Sequence, residues 1–195
     1  MMNPVVDEIR QQITSSISVK NAVLADEQII LKLESLVKRC LQSLRAGGKI
    51  IFAGNGGSFA DAQHLSAEFT SRFLFDRAPL ASIALGTNNS AISAIGNDYG
   101  YEYVFARELE AIGRSSDVFI PITTSGNSSN ILKAVEVANR YAITTLGLTG
   151  NSGGKMQSLC SSICIPSANT ARIQECHIML GHILCGLVEA EFFNK

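Results

Sequence analysis

The sequence has no tryptophan and only four prolines in 195 residues, and it shows no Pro-rich linker, low-complexity tract or internal repeat. A second domain has no place to begin, and the length suits a single domain with a sizeable core. An excess of charge of one sign is also missing: 16 Lys and Arg stand against 17 Asp and Glu, a formal net charge of -1. Without a basic surplus to neutralise a phosphate backbone or anionic lipid, neither nucleic acid nor a membrane surface is expected as a partner. Long hydrophobic runs are absent. The most apolar stretch, Met179 to Val188, is interrupted by His182 and is far shorter than the roughly 20 residues that cross a bilayer. The opening residues, MMNPVVDEIRQQITSS, lack the basic end and apolar run of a signal peptide, so a cytoplasmic protein is expected. The five cysteines are odd in number and include no C-x-x-C pair, which suits a reducing compartment better than a disulfide framework. Cys160 and Cys164 have the spacing of a soft metal pair, but read more simply as buried small hydrophobes.

What is present is periodic. From Pro4 to Ala46 apolar residues recur mostly three or four apart, at Ile9, Ile13, Ile17 and Val23, then at Ile29, Leu33, Leu36, Val37, Cys40 and Leu44. This spacing predicts two amphipathic helices with a break near Ala25. Asp26, Glu27 and Gln28 suit the start of the second, and Gly47-Gly48 its stop. Beyond Gly48, short apolar runs at Ile50–Ala53, Ala81–Leu85, Val118–Ile122, Ile143–Leu148 and Ile163–Ile165 alternate with helical segments. The alternation predicts an α/β protein, a three-layer αβα sandwich around a five-stranded, mainly parallel sheet. A final helix is expected from Ala171 to Phe193, with an apolar surface wide enough to be buried on more than one side.

Ligands of open α/β sheets sit beyond the carboxyl ends of the strands, and two loops leaving these strands are unusual. Gly54-Asn55-Gly56-Gly57-Ser58 follows the first strand and leads into the helix carrying His64 and Glu68. Its glycines let backbone N–H groups approach an anion at a helix N-terminus. Phe59 stands where the dinucleotide fingerprint needs its third glycine, so a nicotinamide cofactor is disfavoured. Thr123-Thr124-Ser125-Gly126-Asn127-Ser128-Ser129 follows the third strand; its five hydroxyls, without Lys or Arg, suit one phosphate monoester. Either loop alone reads equally as a Gly-rich turn with a Ser cap, whereas two on one sheet favour a shared phosphorylated ligand. Gly150 to Met156 resembles a nucleotide P-loop but is one residue short and has Met156 where a Mg-binding hydroxyl belongs, so it reads as a turn.

His64 and Glu68, four apart, share one helix face; alone, such a pair is an ordinary surface feature. Gln174 and His182, eight apart, fall within roughly 80° of each other and two turns apart on the last helix, with His177 pointing elsewhere. Taken singly, His182 inside HILCGLV reads as a hydrogen-bonded core histidine.

Taken together the motifs say more. Gly54 to Ser58, Asp61-Ala62-Gln63-His64, Glu68, Ala94 to Gly100, Thr124 to Ser128, Gly153 to Met156, and Arg172-Ile173-Gln174-Glu175 with His177 and His182 resemble the bacterial sedoheptulose 7-phosphate isomerases, or phosphoheptose isomerases, of the sugar isomerase (SIS) superfamily. The resemblance runs through nearly the whole chain. It implies one SIS domain over 1–195, made of a helical pair (1–46) and an α/β core (47–195). It also implies a homotetramer whose active sites lie between subunits, acting on a phosphorylated sugar. The implied reaction converts sedoheptulose 7-phosphate to glycero-manno-heptose 7-phosphate through a cis-enediol, the first step towards ADP-heptose and the lipopolysaccharide core. Carried over position by position, the resemblance makes Glu68 and His182 catalytic. It makes Asn55, Gly56, Gly57, Ser58, Asn97, Asp98, Thr123, Thr124, Ser125, Ser128 and Gln174 substrate-binding, and His64, Glu68, Gln174 and His182 the ligands of one zinc ion per subunit. Departures are small: Thr123 replaces the usual Ser, Ala171 stands where some members carry Asp, and Phe59 occupies a variable position. A non-catalytic SIS protein that binds the replication initiator shares the Arg172 to Glu175 motif, but its relatives lack the carboxylate and the final His. Phosphosugar-sensing regulators add a helix-turn-helix domain, for which the two N-terminal helices carry too little basic charge.

Overall fold

The structure, a computed structural model, describes residues 3–195; Met1 and Met2, at the start of the expected domain, lie outside the described residues. Helix α1 runs Pro4–Ala25 and α2 Glu27–Arg45, separated by Asp26, whose carboxylate accepts from the N–H groups of Gln28 and Ile29. The break near Ala25 is thus a side-chain N-cap, and α2 stops before Gly47 at φ +76°. The strands are β1 (Ile50–Gly54), β2 (Ser82–Ala84), β3 (Val118–Thr123), β4 (Thr144–Gly150) and β5 (Ser161–Ile165). Between and after them lie α3 (Gly57–Thr70), α4 (Asn89–Asp98), α5 (Val104–Ile112), α6 (Ser129–Arg140) and α7 (Thr170–Phe193), with short 3-10 turns at Tyr101–Tyr103 and Gly154–Ser158.

All four strand pairings are parallel, in the order β2-β1-β3-β4-β5. Every residue of β1 and β3 is buried, as expected of strands covered on both faces. Ile50, Phe52, Ile120, Ile122 and Leu148 face a core completed by α2, α3 and α7, while Ile51, Phe119, Leu109, Ile131 and Val135 form the other beneath α5 and α6. The αβα sandwich is as expected, although β2 is shorter than Ala81–Leu85 and β4 runs two residues past Leu148, carrying Thr149 and Gly150 to the carboxyl edge of the sheet.

One element departs from the reading by periodicity. The apolar residues of α1 have little to cover within the chain: Ile9, Ile13, Ile17 and Leu24 are exposed, and only Val23 is buried. Helix α7 is long and apolar enough, by length and composition, to cross a membrane. Here it is the central helix of one layer, packed on α1, α2, α3, β4 and β5, and even Glu189 and His177 are buried along it.

Candidate active site

The chain turns opposite ways after β1 and β3, so their carboxyl ends flank the switch point of the sheet, where open α/β folds bind ligands. Both unusual loops leave the sheet there. Gly56 precedes α3 at φ +56°, ψ -119°, a conformation open only to glycine, and no side chain caps the helix. Ser128 precedes α6 but does not cap it either; its hydroxyl pairs with Thr123 Oγ1 at 3.0 Å. Two helix N-termini thus face the switch point without a side-chain cap, the arrangement that receives an anion.

The loops are tied to each other. Asn55 and Asn130 exchange two amide hydrogen bonds, Nδ2 to Oδ1 at 2.9 and 2.8 Å, and Asn130 is buried. Asn130 was not singled out in the sequence; its signal was only its place in the first turn after the Ser-rich loop. The segment read as a mere turn, Gly150 to Met156, does more: it is the floor of the second loop. Gly150 N donates to Thr124 O and Met156 N to Gly126 O, both at 3.0 Å, and Lys155 N donates to Asn127 Oδ1 at 3.0 Å. A Cβ on Gly126, which sits at φ +66°, would collide with the carbonyl of Gly153. Glycines lie on both sides of this crossing because nothing larger fits.

Two turns further along α3, three ionisable side chains converge. His64 Nε2 lies 2.9 Å from His182 Nε2 and 3.3 Å from Glu68 Oε1. One donor atom from each of the three residues falls within 4.8 Å of the others. The His64–Glu68 spacing read as a helix-face pair is such a pair, and α7 supplies the third group. Gly181 makes the meeting possible: a Cβ there would stand 2.6 Å from both terminal methyls of Leu65, so α7 crosses α3 at one residue's remove from His182 and His64. The ring of Phe73 stacks on His182 at 5.5 Å and 15°. Asp61, one turn before His64, is half-buried, and burial pushes its carboxyl above the usual range against the pull of His64 and His182.

The other expected site residues are spread more widely. Gln174 lies over Gly57, where a Cβ would come within 2.7 Å of its Nε2. It therefore stands at the anion-loop end of α3, two turns from the His64, Glu68 and His182 cluster. Asn97 and Asp98 close α4, exposed and hydrogen-bonded to each other at 2.8 Å; α4 packs on α5 and the 3-10 turn before it. Thr123, Thr124, Ser125 and Ser128 line the second loop as expected. His177 points away: it is wholly buried, its Nε2 is 3.1 Å from Thr149 O, and burial lowers its pKa to about 4 despite that bond. Cys160 and Cys164 take no part in the three-donor cluster.

Two imidazoles and a carboxylate converging through one nitrogen make a donor set suited to zinc or a similar divalent ion. Their present spacing, with His64 Nε2 close to both partners, leaves little adjustment for the three to face one centre.

Comparison with known proteins shows the family. The family model described as "SIS domain" matches residues 15–150. Phosphoheptose isomerase of Aneurinibacillus thermoaerophilus is 53% identical over 190 residues, covering 97% of this chain and 96% of that protein. Among solved structures, a phosphoheptose isomerase from Francisella tularensis superposes with TM-score 0.90 at 36% identity, covering 96% of this chain and 99% of that one. Its counterpart from Neisseria gonorrhoeae gives 0.85 at 39%, covering 94% and 99%.

Proposed function

The chain belongs to the SIS domain family, and from that premise we propose that it is a phosphoheptose isomerase converting sedoheptulose 7-phosphate to glycero-manno-heptose 7-phosphate. The observation that carries the reading is the convergence of His64, Glu68 and His182 on a helix that begins at an anion-binding loop. The seven steps from Gly57 to His64, whose ring lies 3.3 Å from the Glu68 carboxylate, span about 10 Å of helix. An extended seven-carbon sugar with a terminal phosphate, at C–C bonds of ~1.5 Å, reaches a comparable ~9 Å. A phosphate held by Gly56 to Ser58 and Thr123 to Ser128 would bring the sugar's reacting end to the carboxylate.

At that end Glu68 takes the proton from C1 and the electron pair forms the C1–C2 double bond, while His182 gives a proton to the ketone oxygen at C2. Glu68 then returns its proton to C2, the hydroxyl proton on O1 passes to His182, and C1 becomes the aldehyde. One proton moves from carbon to carbon and one from oxygen to oxygen, so nothing is consumed. Phosphate-end binding supports the rate by holding C1 and C2 in reach of the two groups. His64, Glu68 and His182, with Gln174 moving in from Gly57, would hold one zinc ion per subunit. When bound, it would polarise the sugar's adjacent oxygens.

The exposed apolar face of α1 and the groove of about 750 Å³ between α1, α2 and α7 support assembly into a homotetramer. In it the active sites would lie between subunits, with Asn97 and Asp98 in the substrate-binding set. We place the enzyme in the cytoplasm, at the first step towards ADP-heptose for the lipopolysaccharide core, with 1–195 acting as one domain.

The test is incubation of the purified protein with sedoheptulose 7-phosphate, with and without a chelator and then with zinc, following the aldose phosphate. Turnover lost to chelation and restored by zinc is the expected result. Turnover indifferent to chelation would leave Glu68 and His182 working without metal. A folded, zinc-loaded protein that does not turn over would overturn the isomerase reading in favour of a non-catalytic SIS protein.

A further inference from the structure

Beyond the active site, Arg77, in the loop after α3, and Glu189, on α7, form a buried ion pair; their side chains are 2% and 1% exposed. Arg77 Nε donates to Glu189 Oε1 at 2.9 Å. Its two terminal nitrogens do not stay with the carboxylate. Nη2 donates to the carbonyl of Glu68 at 2.7 Å, and Nη1 to those of Phe69, Ser71 and Ala78 at 2.7, 2.9 and 3.1 Å. The guanidinium is thereby the C-terminal cap of α3, taking carbonyls that the helix itself leaves without partners. Glu189 in turn accepts from the backbone N–H groups of Phe73 and Leu74 at 2.9 and 2.7 Å. Burial alone would raise its carboxyl, and these donors with Arg77 more than offset that, leaving it below the usual range.

A buried ion pair is a poor source of stability, since well-packed apolar residues of similar volume often do as well or better. What it supplies here is position, and both ends reach the reacting groups. Arg77 grips the backbone of Glu68. Glu189 grips the backbone of Phe73, whose ring stacks on His182, and Glu189 itself lies two turns beyond His182 on the same face of α7. The chain of contacts Glu68, Arg77, Glu189, Phe73, His182 runs round the cluster, and His64, in contact with both Glu68 and His182, closes it into a frame.

We propose that Arg77, Glu189 and Phe73 are positioning residues that set the Glu68 carboxylate against the His182 ring. The proposal rests on the isomerase reading for its kinetic test and on the side-chain frame alone for its metal-binding test. Three zinc-loaded variants decide it: Glu189→Gln, Phe73→Leu, and the apolar double variant Arg77→Met with Glu189→Leu. In each, kcat for sedoheptulose 7-phosphate should fall tenfold or more with KM within twofold. The zinc dissociation constant, read by competition with a chromophoric chelator, should rise tenfold or more. The double variant separates position from stability: it should melt near the wild type yet remain slow.

A double variant that folds and turns over within twofold of wild type would overturn the proposal. Should the double variant not fold, Phe73→Leu decides, since it leaves the ion pair intact. Unchanged kcat and unchanged zinc affinity there would be equally fatal. If the wild type binds zinc but does not act on the heptose phosphate, the isomerase reading fails and the zinc constants alone judge the frame. A wild type that neither turns over nor binds zinc would end both.

Discussion

Replacing Gly181 by Ala isolates the one contact that lets α3 and α7 meet. The new methyl would stand 2.6 Å from both Leu65 terminal carbons and 3.1 Å from its Cγ, against ordinary carbon contacts of ~3.5–4.0 Å. Leu65 is 1% exposed and has no open side to retreat into, so the helices must part by about 1 Å or Leu65 must leave its rotamer. Overpacking of this kind costs about 1–3 kcal/mol, and the gain in helix propensity from Gly to Ala returns about 1 kcal/mol. The net loss of about 0–2 kcal/mol leaves a domain of ordinary stability folded. The site fares worse. His64 and His182 are the chain neighbours of Leu65 and Gly181 and meet at 2.9 Å, so the displacement passes to them almost undiminished, and a 1 Å misplacement can cost about 100-fold in rate. The assay is kcat on sedoheptulose 7-phosphate beside a thermal melt, with Gly186→Ala as control. A Cβ at Gly186 meets Phe73 and Leu74 no closer than 3.4 Å, so that variant should keep its kcat within twofold. Gly181→Ala with wild-type kcat and zinc affinity would refute the claim that this crossing sets the site.

Glu68→Gln keeps the size of the side chain but removes the base, and turnover should fall at least 1,000-fold while the melt and the assembly state stay as they are; substantial residual activity sinks the assignment. Asn130→Ala leaves Asn55 without its two amide bonds and should raise KM about tenfold with a stability loss of about 1–3 kcal/mol; equal KM would show the loops to be independent. His177 titrates at about 4 in the fold against 6.5 for the free group, so between those values the unfolded chain holds the extra proton. Stability should therefore fall as the pH drops from about 6.5 to 4, by about 3 kcal/mol in all. Urea unfolding of His177→Gln should lack that part of the slope, and an identical slope would contradict it.

The sandwich was legible because its signals are local. Five apolar runs of strand length separated by helical spacing allow few other arrangements, and Asp26 marks a helix start by its own side-chain chemistry. The two loops at the switch point were legible for the same reason, as glycines and hydroxyls that follow a strand. His64 and Glu68 could be placed on one face from spacing alone. The exposure of Ile9, Ile13 and Ile17 was not legible, because periodicity says that a face is apolar and not what lies against it.

Distance along the chain hid the rest. Residues 64 and 182 are separated by more than half the sequence, and no local signal joins them; the resemblance in motifs assigns them to one site, and the α3–α7 crossing at Gly181 brings their rings together. Nothing local in the sequence marks Arg77 and Glu189 as buried, since burial is a property of the packed core and not of the residue. Gly150 to Met156 looked idle until β4 carried it under the loop after β3. Hydrophobic periodicity and turn chemistry act over a few residues, so the sequence by itself determined the elements, their order and the two glycine- and hydroxyl-rich loops. The cluster, its frame and the floor of the second loop are contacts between segments far apart in the chain. Which of them form was decided by how closely the helices could pack.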